Sequence, residues 1–249
     1  MKRRLLTIKY DGSRYCGWQV QPNGASIQSC MQDALESVLG IRPGVTGCSR
    51  TDAGVHANMF CLHFDSDDSI DNAKLPLALN YYLPDDIAVI SSIFVDDGFH
   101  ARYSSVGKNY IYKIHNSPIK DPFNAKYSLS VPKLLDDKAM NKAAEYFKGT
   151  HNFSAFCSAG SSVKDNVRTV FECRVLRNSD ELELSISANG FLYNMVRIIT
   201  GTLIEVGHGK ITADEIPKII DSCCRENAGP TVKPNGLFLN KVFYNNLGW

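Results

Sequence analysis

The alternation of apolar and polar residues predicts short strands and helices along the first half of the chain. Residues 5–10 form an apolar run with β propensity, and Asp11 and Gly12 close it as a turn. In the next segment the apolar residues recur at the spacing of a helix: Ile27, Met31, Leu35 and Val38. Ser26 can cap this helix at its start and Gly40 can end it. A strand followed by a helix is therefore predicted.

The same reading continues through the rest of the first half. Apolar runs at residues 59–64, 87–95 and 110–114 are typical of strands. Residues 75–83 read as a second helix, in which Pro76 is acceptable because it lies in the first turn. This order predicts one sheet covered by two helices.

The second half has a similar mixture of elements. Prolines mark a polar bridge before it: Pro118, Pro122 and Pro132. This half begins with a predicted helix, residues 137–148. Five further elements follow it: a hairpin of strands 169–176 and 182–186, helices 191–206 and 213–223, and a strand 236–244. The predicted class is α+β, with two mixed α/β domains, largely antiparallel sheets and a cleft between them. The predicted division is residues 1–105 and 106–249.

Composition adds few constraints to this picture. The chain has 249 residues, of which 44% are hydrophobic and 21% charged, as in ordinary globular proteins. No apolar run is long enough to cross a bilayer and no secretion signal is evident, so we expect a cytoplasmic protein with no membrane partner. The formal net charge of +1 does not by itself indicate a nucleic-acid-binding protein.

Cysteines do not predict a metal site. There are eight, but none forms a Cys-x-x-Cys pair, the spacing typical of structural zinc sites. In a chain of this size without a secretion signal, reduced thiols are expected. No metal is predicted.

The stretch GCSRTDAGVHA, residues 47–57, is the first candidate for chemistry. It places Arg50 two residues before Asp52, and the small residues Ala53 and Gly54 follow. A neighbouring arginine keeps a carboxylate ionised, which suits a nucleophile or a base. A solvated turn would explain the same residues without any chemistry. His56 is more simply explained as a packed, hydrogen-bonded histidine than as a catalytic one.

Three later segments carry further candidates. FLYNMVR places Arg197 in an otherwise apolar helix, where it either pairs with a carboxylate or lies at a solvated helix edge. KNYIYKI places Tyr110 and Tyr112 on one face of a strand, where core packing is the simpler interpretation. PNGLFL contains Leu237 and starts with turn residues, and packing explains its leucines as well.

Taken together, these motifs resemble a known family. Six segments occur in the order found in the TruA family of tRNA pseudouridine synthases: RTDAGVHA, FHAR, KNYIYKI, GTHNFSAF, FLYNMVR and PNGLFL. RTDAGVHA is a highly specific string, and the resemblance extends over nearly the whole chain.

The resemblance implies a role for each candidate. Asp52 would be the catalytic aspartate, and Arg50 would insert where the target base leaves the stack. Tyr110 would stack on the uracil and assist removal of its C5 proton. Arg197 would pair with Asp52, and Leu237 would pack against the base. Because the reaction is an isomerisation, no cofactor is implied.

The resemblance also implies partners. The substrate would be tRNA, at uridines 38, 39 and 40 of the anticodon stem-loop, and the protein would be a homodimer. Two other functions remain open: an RNA-binding protein without catalytic activity, and an Asp-dependent hydrolase of glycosidic bonds. The hydrolase would usually need a second carboxylate as its acid, and none stands out in the motifs.

Overall fold

The computed structural model describes residues 1–22, 24–67, 70–160, 163 and 165–245. The strands in these residues are β1 (Lys2–Tyr10), β2 (Thr46–Gly47), β3 (His56–Ser66), β4 (Ile87–Val95), β5 (Ser105–His115), β6 (Leu129–Ser130), β7 (Gly149–Asn152), β8 (Val167–Asn178), β9 (Glu181–Ala188) and β10 (Leu237–Tyr244). The α-helices are α1 (Ile27–Leu39), α2 (Leu75–Tyr82), α3 (Asp137–Glu145), α4 (Met195–Gly207) and α5 (Ile216–Ser222). Among the described residues, no helix has the length and apolarity needed to span a membrane.

The chain folds into two compact units. One contains Met1–Val106 together with the end of the chain from Phe238, and the other contains Gly107–Leu237. The sequence-based division assigned the last strand to the second half. In the structure β10 runs parallel to β3, with Phe238 opposite His56 and Leu239 opposite Ala57. This pairing joins residues far apart in the sequence, so hydrophobic periodicity could not reveal it.

The first unit is a sheet with two helices. Its strand order is β4–β1–β3–β10, with β2 added to β3, and every pairing is antiparallel except β3–β10. Helix α1 is capped as predicted, because the Ser26 side chain accepts from the Ser29 backbone N–H and Gly40 adopts a left-handed φ of 72°. Its buried residues are Ile27, Met31, Ala34 and Leu35. Three of the four apolar positions that predicted the helix are therefore buried, and the fourth, Val38, is only partly buried.

The second unit has the strand order β5–β9–β8–β7, with β6 parallel to β5 and the other pairs antiparallel. The predicted hairpin is present: Asn178 pairs with Glu181, and Ser179 has a φ of 55° in the two-residue turn between them. Helix α4 is buried along almost its whole length. The predicted α+β class with largely antiparallel sheets is confirmed.

Some predicted boundaries were wrong. Helix α4 begins at Met195 and not at residue 191, because Asn194 adopts a left-handed φ of 60° that a continuous helix cannot include. The helix predicted at 213–223 starts as a 3-10 turn, Ala213–Glu215, and becomes α-helical at Ile216. Strands β2, β6 and β7 have only two to four residues. Runs that short show no measurable alternation.

Candidate active site

The loop that carries Arg50 and Asp52 lies between β2 and β3 in the first unit. Thr51, between them, is buried: its Oγ1 lies 2.9 Å from the Tyr10 hydroxyl, and its carbonyl accepts from the Trp18 backbone N–H at 3.3 Å. Arg50 is exposed and Asp52 is partly exposed. The middle residue therefore anchors the loop, while its two charged neighbours remain accessible.

A glycine-containing segment from Gly12 to Trp18 supports the back of this loop, and we call it the cradle. The Gly54 backbone N–H donates to the Tyr15 carbonyl at 3.3 Å. Gly17 has a φ of 100°, and a Cβ on it would lie 2.2 Å from the Thr51 carbonyl oxygen. A Cβ on Gly12 would lie 2.0 Å from the Val55 carbonyl oxygen. The close approach of the two backbones therefore requires glycine at both positions.

Gly17→Ala should displace the loop and reduce turnover at least tenfold, because small misplacements of a catalytic group are costly. Gly40→Ala is the matched control: Gly40 also has a positive φ, but a Cβ there meets nothing within 4 Å. Gly40→Ala should lose about 1 kcal/mol of stability from backbone strain, and Gly17→Ala should lose more, because its Cβ also meets the Thr51 carbonyl oxygen. Single-turnover rates and chemical unfolding should be measured for both. Equal turnover in the two variants would show that the cradle does not position the loop.

His56 begins β3 and packs as the sequence suggested. His56 is 1% exposed, and its ring stacks on the ring of Phe238 with the centroids 4.6 Å apart. Its Nδ1 accepts from the Gly12 backbone N–H at 3.0 Å and lies 3.1 Å from Asp11 Oδ1. These contacts fix the start of β3 against the cradle. His56 is thereby a structural support for the loop that precedes it.

Tyr110 and Tyr112 share a face of β5 in the second unit but have different surroundings. Tyr110 is 7% exposed and meets the Phe191 ring edge-on, with the centroids 4.9 Å apart. Tyr112 is fully buried, and its hydroxyl donates to the Lys233 carbonyl at 2.6 Å. Burial raises the pKa of Tyr112 well above its usual value. Tyr112 is thus a packing residue in this unit.

Arg197 lies on the first turns of α4 and is partly buried. Its Nε donates to the Val232 carbonyl at 2.8 Å, and its guanidinium also donates to Asn194 Oδ1 at 2.7 Å. Asn194 is itself held, because its Nδ2 donates to Ser158 Oγ at 2.9 Å. The left-handed residue that starts α4 therefore also orients the arginine. The sequence also allowed Arg197 to lie at a solvated helix edge. In the structure the side chain is instead partly buried and hydrogen-bonded.

The segment after α4 approaches that helix closely. A Cβ on Gly201 would lie 1.8 Å from the Pro230 carbonyl oxygen. The Gly229 backbone N–H donates to Thr202 Oγ1 at 2.9 Å. These contacts place the Val232 carbonyl where Arg197 can donate to it. The second unit thus supplies two acceptors for the guanidinium, the Val232 carbonyl and Asn194 Oδ1.

Leu237 is the first residue of β10 and is 6% exposed. A short 3-10 turn, Pro234–Gly236, precedes it. A Cβ on Gly236 would lie 2.8 Å from the Tyr112 ring and 2.5 Å from the Lys113 carbonyl oxygen. The turn residues that looked unremarkable in the sequence thus fit tightly against the tyrosine strand.

The predicted site residues form two groups. Arg50 and Asp52 belong to the first unit, and Tyr110, Arg197 and Leu237 belong to the second. A pairing of Asp52 with Arg197 stays a prediction.

The cradle was not predicted from the sequence, although Gly12 and Gly17, close together before Trp18, were a usable signal. In the part of the chain that the structure describes, no group of three or more His, Cys, Asp or Glu side chains could hold a metal ion.

Comparisons with known proteins agree with these motifs. The family model described as tRNA pseudouridine synthase matches residues 6–104 and 143–245. A tRNA pseudouridine synthase A of Clostridium botulinum (strain Alaska E43 / Type E3) is 47% identical over 244 residues, which are 98% of this chain and 100% of that protein. Proteins with the same name from Ruminiclostridium cellulolyticum and Acetivibrio thermocellus are 46% and 45% identical, each again over 98% of this chain and 100% of that protein. The chain therefore belongs to the tRNA pseudouridine synthase family.

Proposed function

We propose that this isomerase converts uridine to pseudouridine in the anticodon stem-loop of tRNA, at positions 38, 39 and 40, with Asp52 as the catalytic carboxylate. The observation that carries the proposal is the geometry of the loop: buried Thr51 anchors it, and Asp52 beside it remains accessible. Family membership supports the reaction and the substrate class.

The reaction breaks the C1′–N1 bond, turns the uracil and joins C5 to C1′. The proton on C5 is lost and N1 gains one, so the product has the same composition as the substrate. A target base must leave its stack before Asp52 can reach the sugar or the ring. Ala53 and Gly54, which follow Asp52, place no large side chain in the path of such a nucleotide. Arg50, exposed on the same loop, would occupy the position that the base leaves.

The second unit would supply the remaining groups. Tyr110 would stack on the uracil and assist removal of its C5 proton, while its ring is steadied by Phe191. Arg197 would pair with Asp52 and keep it ionised, since Asn194 and the Val232 carbonyl already fix the direction of its guanidinium. Leu237 would pack against the base from the other side.

Loop and single-stranded nucleotides expose base edges that proteins can reach, whereas a helical stem is recognised by shape and phosphates. An anticodon stem-loop offers both. We further propose that the protein acts as a homodimer, as the family resemblance implies; a symmetric pair would double any basic surface available to one tRNA. That duplication would offset the small net charge of a single chain.

Incubation with an unmodified tRNA transcript tests the proposal. We expect pseudouridine at one or more of positions 38–40, mapped by nucleotide analysis, and none when those uridines are replaced by cytidine. Release of free uracil would instead identify a glycosidic hydrolase. Tight binding with no change in the RNA would identify a binding protein without catalytic activity. Pseudouridine at other positions only would contradict the anticodon assignment.

A further inference from the structure

A loop between β5 and β6 has no role in the site described above. We call residues 117–128, with the sequence SPIKDPFNAKYS, the basic loop. Phe123 is 88% exposed and Ile119 is 78% exposed. Lys120 and Lys126 are exposed on either side of Phe123. Two large apolar side chains and two lysines are thus exposed within one short loop.

The one acidic residue of the basic loop, Asp121, accepts hydrogen bonds from within the loop. Asp121 Oδ1 accepts from the Phe123 backbone N–H at 2.9 Å, and Oδ2 accepts from Asn124 Nδ2 at 2.7 Å. These bonds turn the carboxylate toward the loop backbone. The turn also fixes the backbone beneath Phe123. The loop carries two lysines against this one carboxylate, a formal excess of one positive charge.

Two anchors hold the basic loop in place. Asn235 Nδ2 donates to the carbonyls of Ala125 at 3.1 Å and Ser128 at 2.5 Å. His115 Nε2 lies 3.0 Å from the Ile119 carbonyl, and its Nδ1 lies 2.8 Å from Glu181 Oε1. The Ile119 carbonyl and the Glu181 carboxylate can only accept hydrogen bonds. His115 can donate to both only when both of its ring nitrogens carry a proton. The hydrogen bond to Glu181 and that to Ile119 accordingly raise the pKa of His115.

The first anchor also links the basic loop to a predicted site residue. Asn235 stands two residues before Leu237, in the turn that packs on Tyr112. The loop, this turn and the tyrosine strand all belong to the second unit. An ordered loop presenting exposed side chains from a fixed base is a common arrangement for binding.

We propose that the basic loop is an RNA-contacting element, in which Phe123 stacks on an unpaired base and Lys120 and Lys126 contact phosphates. The inference rests on the proposed function, because the RNA in question is the tRNA substrate. Stacking on an aromatic ring and pairing with backbone charge are the two interactions by which proteins hold single-stranded nucleotides. A self-associating face fits less well, since a two-fold interface here would bring lysines of two copies toward each other.

Binding of an unmodified tRNA transcript by Phe123→Ala and by the double variant Lys120→Ala/Lys126→Ala tests this inference. Phe123→Ala should weaken binding about tenfold, the effect of losing one stacked base, with an unchanged salt dependence. The lysine variant should reduce the slope of log affinity against log salt by about 1.4 to 1.8. Phe171→Ala and Lys138→Ala, exposed positions elsewhere in the same unit, serve as matched controls and should bind like the wild type. Single-turnover rates at saturating tRNA should not change.

The outcomes separate this inference from the proposed function. Unchanged affinity in both loop variants of an active enzyme would overturn the inference. So would conversion of Phe123→Ala from dimer to monomer in sedimentation, because the loop would then be a contact between copies. A wild type that makes no pseudouridine, while the loop variants still lose tRNA affinity, would reject the proposed function and support the RNA contact.

Discussion

Asp52→Asn should lower the single-turnover rate of pseudouridine formation about a thousandfold or more, while tRNA binding is retained. Asparagine keeps the size of the side chain but removes the charge and the reactive oxygen. The backbone bond that shapes the loop, from the Val55 N–H to the Asp52 carbonyl at 3.2 Å, does not involve the side chain. A loss of ~4 kcal/mol in transition-state stabilisation corresponds to this rate change.

The matched control for Asp52→Asn is Asp97→Asn, which makes the same charge change at an exposed residue of the same unit. Both variants should bind tRNA as well as the wild type or slightly better, because each removes a negative charge. Only Asp52→Asn should lose turnover. Near-normal turnover in that variant would remove Asp52 from the mechanism and reduce the loop to a structural turn.

The sequence predicted most of the fold where local pattern determines structure. The spacing of apolar residues and the caps at Ser26 and Gly40 defined α1 closely, since helix ends depend on neighbouring residues. The start of α4 was not predictable in this way. It depends on the left-handed backbone of Asn194, which is held by a contact with Ser158. The position of β10 also depends on a partner strand that is distant in the sequence.

The candidate site shows the same difference between what local sequence predicts and what depends on tertiary contacts. The resemblance selected Asp52 and Arg197 because they stand in short, specific strings of sequence. The supports of these residues were not predictable, because each is a tertiary contact: the Tyr10 hydroxyl on Thr51, and the approach of Gly17 to the loop backbone. Residue type therefore indicated the chemistry, while the positioning of the reactive groups became visible only in the folded chain.

Arg197→Met should lower single-turnover pseudouridine formation by about a hundredfold to a thousandfold. Methionine fits the apolar surroundings on α4 but cannot donate to Asn194 or to the Val232 carbonyl, whose bonds to Arg197 measure 2.7 and 2.8 Å. If Arg197 pairs with Asp52, the carboxylate also loses its counter-charge; because both side chains are only partly buried, this costs less than the ~3–5 kcal/mol of a fully buried pair. Chemical unfolding should accordingly show a less stable protein.

Two further variants separate the charge of Arg197 from its orientation. Arg197→Lys keeps the charge but lacks the planar fork, so it should recover only part of the turnover. Asn194→Gly keeps the left-handed backbone at φ 60° while removing the acceptor that directs the guanidinium. Because this change leaves the charge in place, it should lower kcat about tenfold with little change in KM. Wild-type turnover in Arg197→Met would show that Asp52 needs no arginine. A wild-type kcat in Asn194→Gly would show that the contact with Asn194 is not needed to position the guanidinium.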